Sequence, residues 1–262
     1  KGKLRRRLGR LAHRRPLQAG PKRPMVSFAF DDAPLTAAQA GAAILEARGV
    51  RGCYFVSAAL AGQQAPMGVC ARPDDYRALA AAGHELACHT YSHLDCGRAD
   101  GAAAVPDGER NAEAFRAWGL QPPTTFAYPY GDVGFGPKAA LGDRFALLRA
   151  LHPGVINRGT DLNQCPAAGI EGETGENVAR RWLAEAKARG AWVILFTHDV
   201  RPDPSPWGCT PDALGRLTDE ALAHGFEVVT VADGARRLGR SGVDLKDTTR
   251  DDRLDSARTG EL

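Results

Sequence analysis

The chain has 262 residues, of which 44% are hydrophobic and 25% charged. That suits one α/β barrel or two small domains and excludes a disordered or fibrous class. No run approaches the ~20 apolar residues of a membrane span, and no apolar segment follows the basic N-terminus as a secretory signal would require. The net charge of +3 is unevenly placed: residues 1–23 hold ten Lys or Arg and no acid, so the remainder, with 24 basic and 31 acidic residues, is net −7.

In chain order, the first feature is the basic stretch "KGKLRRRLGRLAHRR", which puts Leu4, Leu8 and Leu11 on one helical face. Such a helix could lie on an anionic membrane surface. A disordered basic arm and a helix packed on the folded domain are the competing readings. After Pro24, the bulky apolar run Met25–Phe30 reads as a buried strand of a parallel sheet, and it ends in Asp31-Asp32. With this first strand taken as Val26–Phe30, further strands are expected at Cys53–Val56, Glu85–Cys88, Thr125–Tyr128, weakly at Gly154–Asn157, and at Val193–Thr197 and Glu227–Val231. Helices are expected at about Ala37–Arg48, Asp74–Ala82, Gly108–Trp118, Glu176–Arg189 and Pro211–His224, each helix after the first strand alternating with the next strand pattern. Glycines at 49, 83, 119, 190 and 225 suit helix C-termini. Alternation of β and α argues for a parallel sheet, open or closed into a barrel. The tail from Lys246 is polar. The division expected is a basic arm over 1–23, a catalytic domain over 24–240 and a polar tail over 241–262.

Six cysteines occur without a C-x-x-C pair, which argues against a zinc ribbon or redox motif and favours reduced thiols in a cytoplasmic setting. No nucleic-acid partner is expected.

The chemistry gathers at strand ends, where barrels of parallel strands place catalytic residues. Asp-Asp alone is usually a solvated turn, and H-x-x-x-H alone is seldom a ligand pair. Here His89 and His93 follow a strand ending at Cys88, and His198 ends "WVILFTH". Asp32, His89 and His93 would form the three-ligand set of an open catalytic metal site. Asp31, pointing differently from its neighbour, would be the general base and His198 the general acid. The turn in "FAYPYGD" could aim the Tyr130 N–H at a developing oxyanion. Trp207, in the loop after His198, could offer a flat apolar face at the rim or cap the barrel core.

Four segments, in order, resemble the polysaccharide deacetylases of carbohydrate esterase family 4. "FAFDDAP" is similar to the family's T-F-D-D-G motif, "HTYSH" to H-[ST]-x-x-H, "FAYPYGD" to R-x-P-Y and "ILFTHD" to L-x-H. The resemblance covers roughly residues 24–238. It implies a distorted (β/α)7 barrel and hydrolysis of the N-acetyl group of an acetamido sugar in a poly- or oligosaccharide. It also implies one divalent metal, zinc first with cobalt or nickel as alternatives. By position, Asp31 resembles the base, Asp32, His89 and His93 the ligands, Tyr130 the oxyanion residue and His198 the acid. Leu195 resembles the wall of the acetyl pocket. Tyr128, Trp207 and Arg158 complete the residues expected to face substrate.

Three departures stand out. Ala33 replaces a glycine, a mild change if φ stays negative. Ala127 replaces the arginine that tethers the base, so Asp31 either lacks that tether or takes another cation such as Arg158. The motif expected to orient His198 is matched only by Asp161. Two alternatives accompany the deacetylase reading. One is a deformylase or deacetylase of a lipid-linked amino sugar at the inner membrane face, reached through residues 1–15. The other is a non-catalytic saccharide-binding homologue.

Overall fold

The computed structural model describes residue 9 and residues 11–239. Leu4, Leu8 and the polar tail lie outside the described residues, so the membrane-facing helix is not represented there as a unit. Leu11, its one described leucine, is 68% exposed.

The elements follow the expected alternation. β1 (Met25–Asp31) leads to α1, which winds as a π-helix over Ala37–Gly41 and as an α-helix over Ala42–Glu46. Next come β2 (Cys53–Val56), a hairpin of β3 (Gln64–Ala65) and β4 (Gly68–Val69), α2 (Pro73–Ala81) and β5 (Glu85–Cys88). α3 (Gly101–Ala117), β6 (Thr125–Ala127), α4 (Phe135–Leu141), β7 (Leu147–Arg149) and β8 (Ala168–Gly169) follow. The chain closes with α5 (Gly175–Ala188), β9 (Trp192–Thr197), α6 (Pro211–Ala223), β10 (Glu227–Val228) and α7 (Val231–Arg237).

The strands form one parallel sheet in the order β7-β6-β5-β2-β1-β9-β8, curled into a distorted α/β barrel. β1 is its axis. β9 runs beside it from Met25↔Trp192 to Phe30↔Thr197. On its other side, β10 covers the start and β2 the end. A strand hydrogen-bonded on both sides and covered on both faces is mostly apolar, and any polar side chain on it needs a partner; all seven residues of β1 are buried, with Ser27 bonded by the Trp192 indole N–H and Asp31 by Arg149. Side chains alternate: Val26, Phe28 and Phe30 pack under the helices with Leu45, Leu183 and Leu214, whereas Met25 and Ala29 face the interior with Phe55, Ile194 and Phe196. Asp31 has the interior parity. One wall thus carries both core and chemistry.

Several elements differ from expectation. α3 begins at Gly101, where Asp100 caps it by accepting the Ala103 N–H at 2.8 Å, and it tolerates Pro106 near its start. α4, β7 and β8 are too short to show periodicity. Residues 154–157 contribute only an antiparallel bridge, Ile156↔Trp192. Val231 begins α7, capped by Thr230, instead of ending a strand.

No helix links β7 to β8. The connecting chain runs along the barrel wall, with Leu148 N–H bonded to Leu162 O and Cys165 N–H to Leu148 O, both at 2.8 Å. Residues 14–17, expected in a separate arm, are tied to this flank. Leu17 N–H donates to Thr160 O, the Arg15 guanidinium to the carbonyls of Phe145 and Ala146, and the Arg15 N–H to Asp161 Oδ1. Behind them, the fully buried Lys138 meets Asp161 Oδ2 at 2.7 Å and donates to Gly9 O at 2.9 Å. Removing one partner of a buried ion pair is costly because the other charge stays behind. Lys138→Met should therefore lose about 3–5 kcal/mol of stability by urea denaturation; an unchanged midpoint would show the pair to be dispensable.

Candidate active site

The C-terminal ends of β1, β5, β6, β7 and β9 converge on one mouth. Asp32, Ala33, Thr90, His93 and Tyr130 all have positive φ there, between 45° and 61°, and His13 is the only other described non-glycine residue that does. Ala33 thus departs from the negative φ expected of it. Such backbone costs about 1–3 kcal/mol per residue and persists only where the surroundings impose it. The left-handed turn at Asp32 lets two consecutive aspartates serve different partners.

Asp32, His89 and His93 come together, each offering a ligand atom, with all three atoms within 4.8 Å of one another. Asp32 Oδ1 lies 3.4 Å from His93 Nε2 and 3.8 Å from His89 Nε2. His89 donates its Nδ1–H to Ala127 O at 2.8 Å, which leaves Nε2 as the bare nitrogen facing Asp32. Burial lowers the His89 pKa to about 4, against the pull of Asp31 and Asp32, so its imidazole is neutral as a ligand must be. Asp32 Oδ1 is buried and accepts no hydrogen bond. A buried carboxylate oxygen left without a hydrogen bond between two imidazole nitrogens is unfavourable unless a cation lies among them. Two imidazoles and one carboxylate are a donor set suited to zinc-like divalent ions.

Asp31 has a different partner. Arg149 Nη2 donates to its Oδ1 at 2.6 Å and its Oδ2 at 2.7 Å. Burial pushes the Asp31 pKa up, but Arg149 first, then His89 and His198, outweigh it and hold the carboxyl below its ordinary range. The guanidinium lies between the rings of Phe55 and Phe196, at 4.9 and 5.1 Å. Another cation does supply the tether, but it is not Arg158, which is exposed and remains on the loop, where its N–H bonds the Asn157 side chain. The register explains the exchange. Ala127 on β6 is the lateral partner of Arg149 on β7. The arginine absent from one strand is supplied by the same level of the next, and the small Ala127 side chain stands beside it. The one sequence signal was a cation inside the apolar run "FALLRAL".

His198 Nδ1 lies 3.2 Å from Glu171 Oε1 and 3.3 Å from the Trp207 carbonyl. Burial would lower its pKa, but Glu171, Asp31 and Asp32 together raise it. Glu171, which sequence reasoning missed, takes the orienting place expected of Asp161. Asp161 is instead engaged by Lys138 and by the N–H groups of Arg15 and Asn163.

The remaining residues divide. The ring of Tyr130 packs edge-on against His93 at 4.6 Å and is 65% exposed. Trp207 is 45% exposed, so it does not cap the core, and its carbonyl accepts the His198 N–H at 3.0 Å. Leu195 is buried on the helix-facing side with Phe28 and Leu183, because strand parity turns it away; Phe196 faces inward instead. Tyr128 is buried beside Phe126 and bonds Asn163 O at 3.0 Å, so it faces the core and not the mouth.

Arg149→Met should strand Asp31 as a buried carboxylate, with a loss of about 3–5 kcal/mol at neutral pH. The sign follows from linkage. A depressed pKa contributes stability above the unfolded value of the carboxyl and loses it as pH falls through the folded value. The deficit of the variant should therefore shrink below about pH 4. Urea titrations of both proteins from pH 3 to 8 would show this; a deficit independent of pH would mean the pair is not what holds Asp31 ionised.

The polysaccharide deacetylase family profile matches residues 18–139, a span that contains Asp31, Asp32, His89, His93 and Tyr130 and stops short of His198. A chitin deacetylase of Colletotrichum lindemuthianum is 28% identical over 212 residues, 80% of this chain and 78% of that protein. Its solved structure superposes with a TM-score of 0.58 at 20% identity, covering 84% of this chain and 91% of that one. A candidate polysaccharide deacetylase from Mycobacterium smegmatis reaches a TM-score of 0.67 at 20% identity, covering 86% and 95% of the two chains. A family 4 acetyl xylan esterase from Clostridium thermocellum, solved with a cobalt ion, gives 0.56 at 18% identity, covering 80% and 89%. In its profile match, its sequence relative and its barrel, the chain is similar to the polysaccharide deacetylase family.

Proposed function

We propose that the protein is a divalent-metal-dependent hydrolase that removes the N-acetyl group from an acetamido sugar within an oligo- or polysaccharide. The observation that carries this reading is the pairing at the end of β1: an unsatisfied Asp32 oxygen facing two histidine nitrogens, beside an Asp31 held ionised by Arg149. The chitin deacetylase relative favours an acetamide over an ester substrate, and the cobalt-bound esterase favours a divalent ion. Zinc is the first choice, with cobalt or nickel next. The exposed faces of Trp207 and Tyr130 suit the C–H faces of a sugar. Six buried free thiols suit a reducing compartment, so a cytoplasmic location is part of the reading.

Asp32, His89 and His93 would hold the cation. When bound, it supplies Lewis acidity, polarising an acyl oxygen and making water acidic enough to lose a proton near neutral pH. Asp31, kept ionised, accepts that proton as water adds to the acyl carbon. The Tyr130 N–H is the protein's donor to the oxyanion, a contribution typically worth ~10²–10³ in rate. His198 enters protonated. As the C–N bond breaks, it gives its proton to the departing amine, and acetate remains. Amine expulsion needs this proton far more than alkoxide expulsion does, so a raised His198 pKa serves amide hydrolysis in particular.

Acetate release from chitin oligomers should vanish after chelation and return with zinc, cobalt or nickel. His93→Ala should lose zinc and turnover together, and Asp31→Asn should keep zinc while losing ~10²–10⁴ in kcat. Full zinc occupancy in His93→Ala would refute the ligand set, and formate released from N-formyl sugars in preference to acetate would shift the acyl group assigned.

Glu171→Gln tests the acid. The rate should fall as pH rises through the His198 pKa, because the proton to be donated is lost. Without Glu171 that pKa drops, so the alkaline limb of the kcat profile should move to lower pH while rates on its acidic side hold. An unmoved limb would detach His198 from it.

A further inference from the structure

His93 reaches the metal site from a loop under strain. Thr90 and His93 both lie in the left-handed region, with φ of 61° and 56°. β-branched threonine rarely adopts that conformation, so something must hold the loop in place. The Thr90 hydroxyl accepts the Leu94 N–H at 2.8 Å, closing the loop from within. From outside, one carboxylate grips its middle. Asp107 Oδ2 accepts the Tyr91 N–H at 2.7 Å and the Ser92 N–H at 3.0 Å, and Oδ1 accepts the Ser92 hydroxyl at 2.8 Å.

Asp107 stands on α3, and its helical neighbours reinforce the grip. Arg110 lays its guanidinium over the Tyr91 ring at 3.9 Å. Asn111, one turn on and fully buried, donates to Val56 O at 2.9 Å and Cys88 Sγ at 3.3 Å, and accepts the Ala58 N–H at 2.9 Å. Residues 107 and 111 share one face of the helix. That face therefore binds the end of β2, the end of β5 and the loop after β5 at once.

We infer that Asp107 is a positioning residue for the metal site: it presets the Thr90–His93 backbone so that His93 Nε2 faces Asp32 before any cation arrives. The inference rests on the reading of Asp32, His89 and His93 as ligands. The physical basis is preorganisation. Hydrogen bonds to a carboxylate are the strong kind. Two successive N–H groups and a hydroxyl fixed by one anion leave the loop little freedom to lose on binding. Without Asp107, Thr90 and His93 relax toward ordinary backbone, and the cation must reorganise the loop. Loss of partners outside the ligand set commonly weakens metal affinity by about 10–100-fold.

The test measures zinc affinity of the full chain by competition with a chromophoric chelator, in the original protein and in Asp107→Ala, Asp107→Asn, Ser92→Ala and His93→Ala. Melting temperatures with and without zinc, and visible spectra of the cobalt-loaded proteins, are recorded alongside. Asp107→Ala should bind zinc about 10–100-fold more weakly, with a smaller zinc-induced rise in melting temperature and an altered cobalt spectrum. Asp107→Asn, which retains an acceptor for the N–H groups, should recover part of the affinity, and Ser92→Ala should lose less than Asp107→Ala. If Asp107→Ala does not fold, the ordering of the other two against the original protein decides the matter. Zinc affinity and cobalt spectrum unchanged in the Asp107 variants, with only the metal-free melting temperature lowered, would overturn the inference and leave a structural residue. His93→Ala losing zinc in that same experiment would keep the ligand reading intact, whereas His93→Ala binding like the original protein would overturn the ligand reading itself.

Discussion

A carboxylate buried in a barrel needs a cation, and much of this site follows from how Asp31 finds Arg149. The pair joins the end of β1 to the end of β7 across the interior, with aromatic rings on the guanidinium. An ammonium would suit this place poorly: a planar, weakly hydrated guanidinium stacks on rings while meeting a carboxylate. Once Asp31 is satisfied in this way, it does not compete for the histidines, and the left-handed turn after it gives Asp32 to them. The two adjacent acids divide into a paired one and an unpaired one, and their chemistry divides with them.

The same economy governs the groups that orient the histidines. His89 is oriented by a strand carbonyl, His198 by Glu171 and by the loop that carries Trp207, and His93 by a loop fastened to α3. Strain is concentrated in the five left-handed residues of the mouth, and the parallel strands beneath remain regular.

The legible parts of the sequence were those with local pattern. Long apolar runs ended by polar residues marked β1, β2, β5 and β9, and strand ends are where acids and histidines show against an apolar background. Arg149 and Glu171 were hidden for the opposite reason. Arg149 belongs to a strand of three residues, and Glu171 follows one of two, too short for alternation to appear. Their roles come from lateral register across the sheet, which no local window contains. Leu195 was misplaced by one residue of parity, enough to turn a side chain from the interior to the helix layer. Asp161 and Tyr128 have the right composition for a site but are consumed by the packing of the N-terminal segment and the core.

The pairing of β1 also bears on the order in which the chain can assemble. The central strand is the first to be synthesised, yet the neighbour that flanks it along its length, β9, and the one that covers its start, β10, arrive only near the end. Until they do, a largely apolar ribbon has β2 as its one early partner. Distant pairing of this kind slows folding and leaves sticky edges in the meantime. A growing chain of this protein therefore carries β1 only partly paired until β9 and β10 emerge, and its yield in a cell should respond to chaperone supply more than to any change in the catalytic rim.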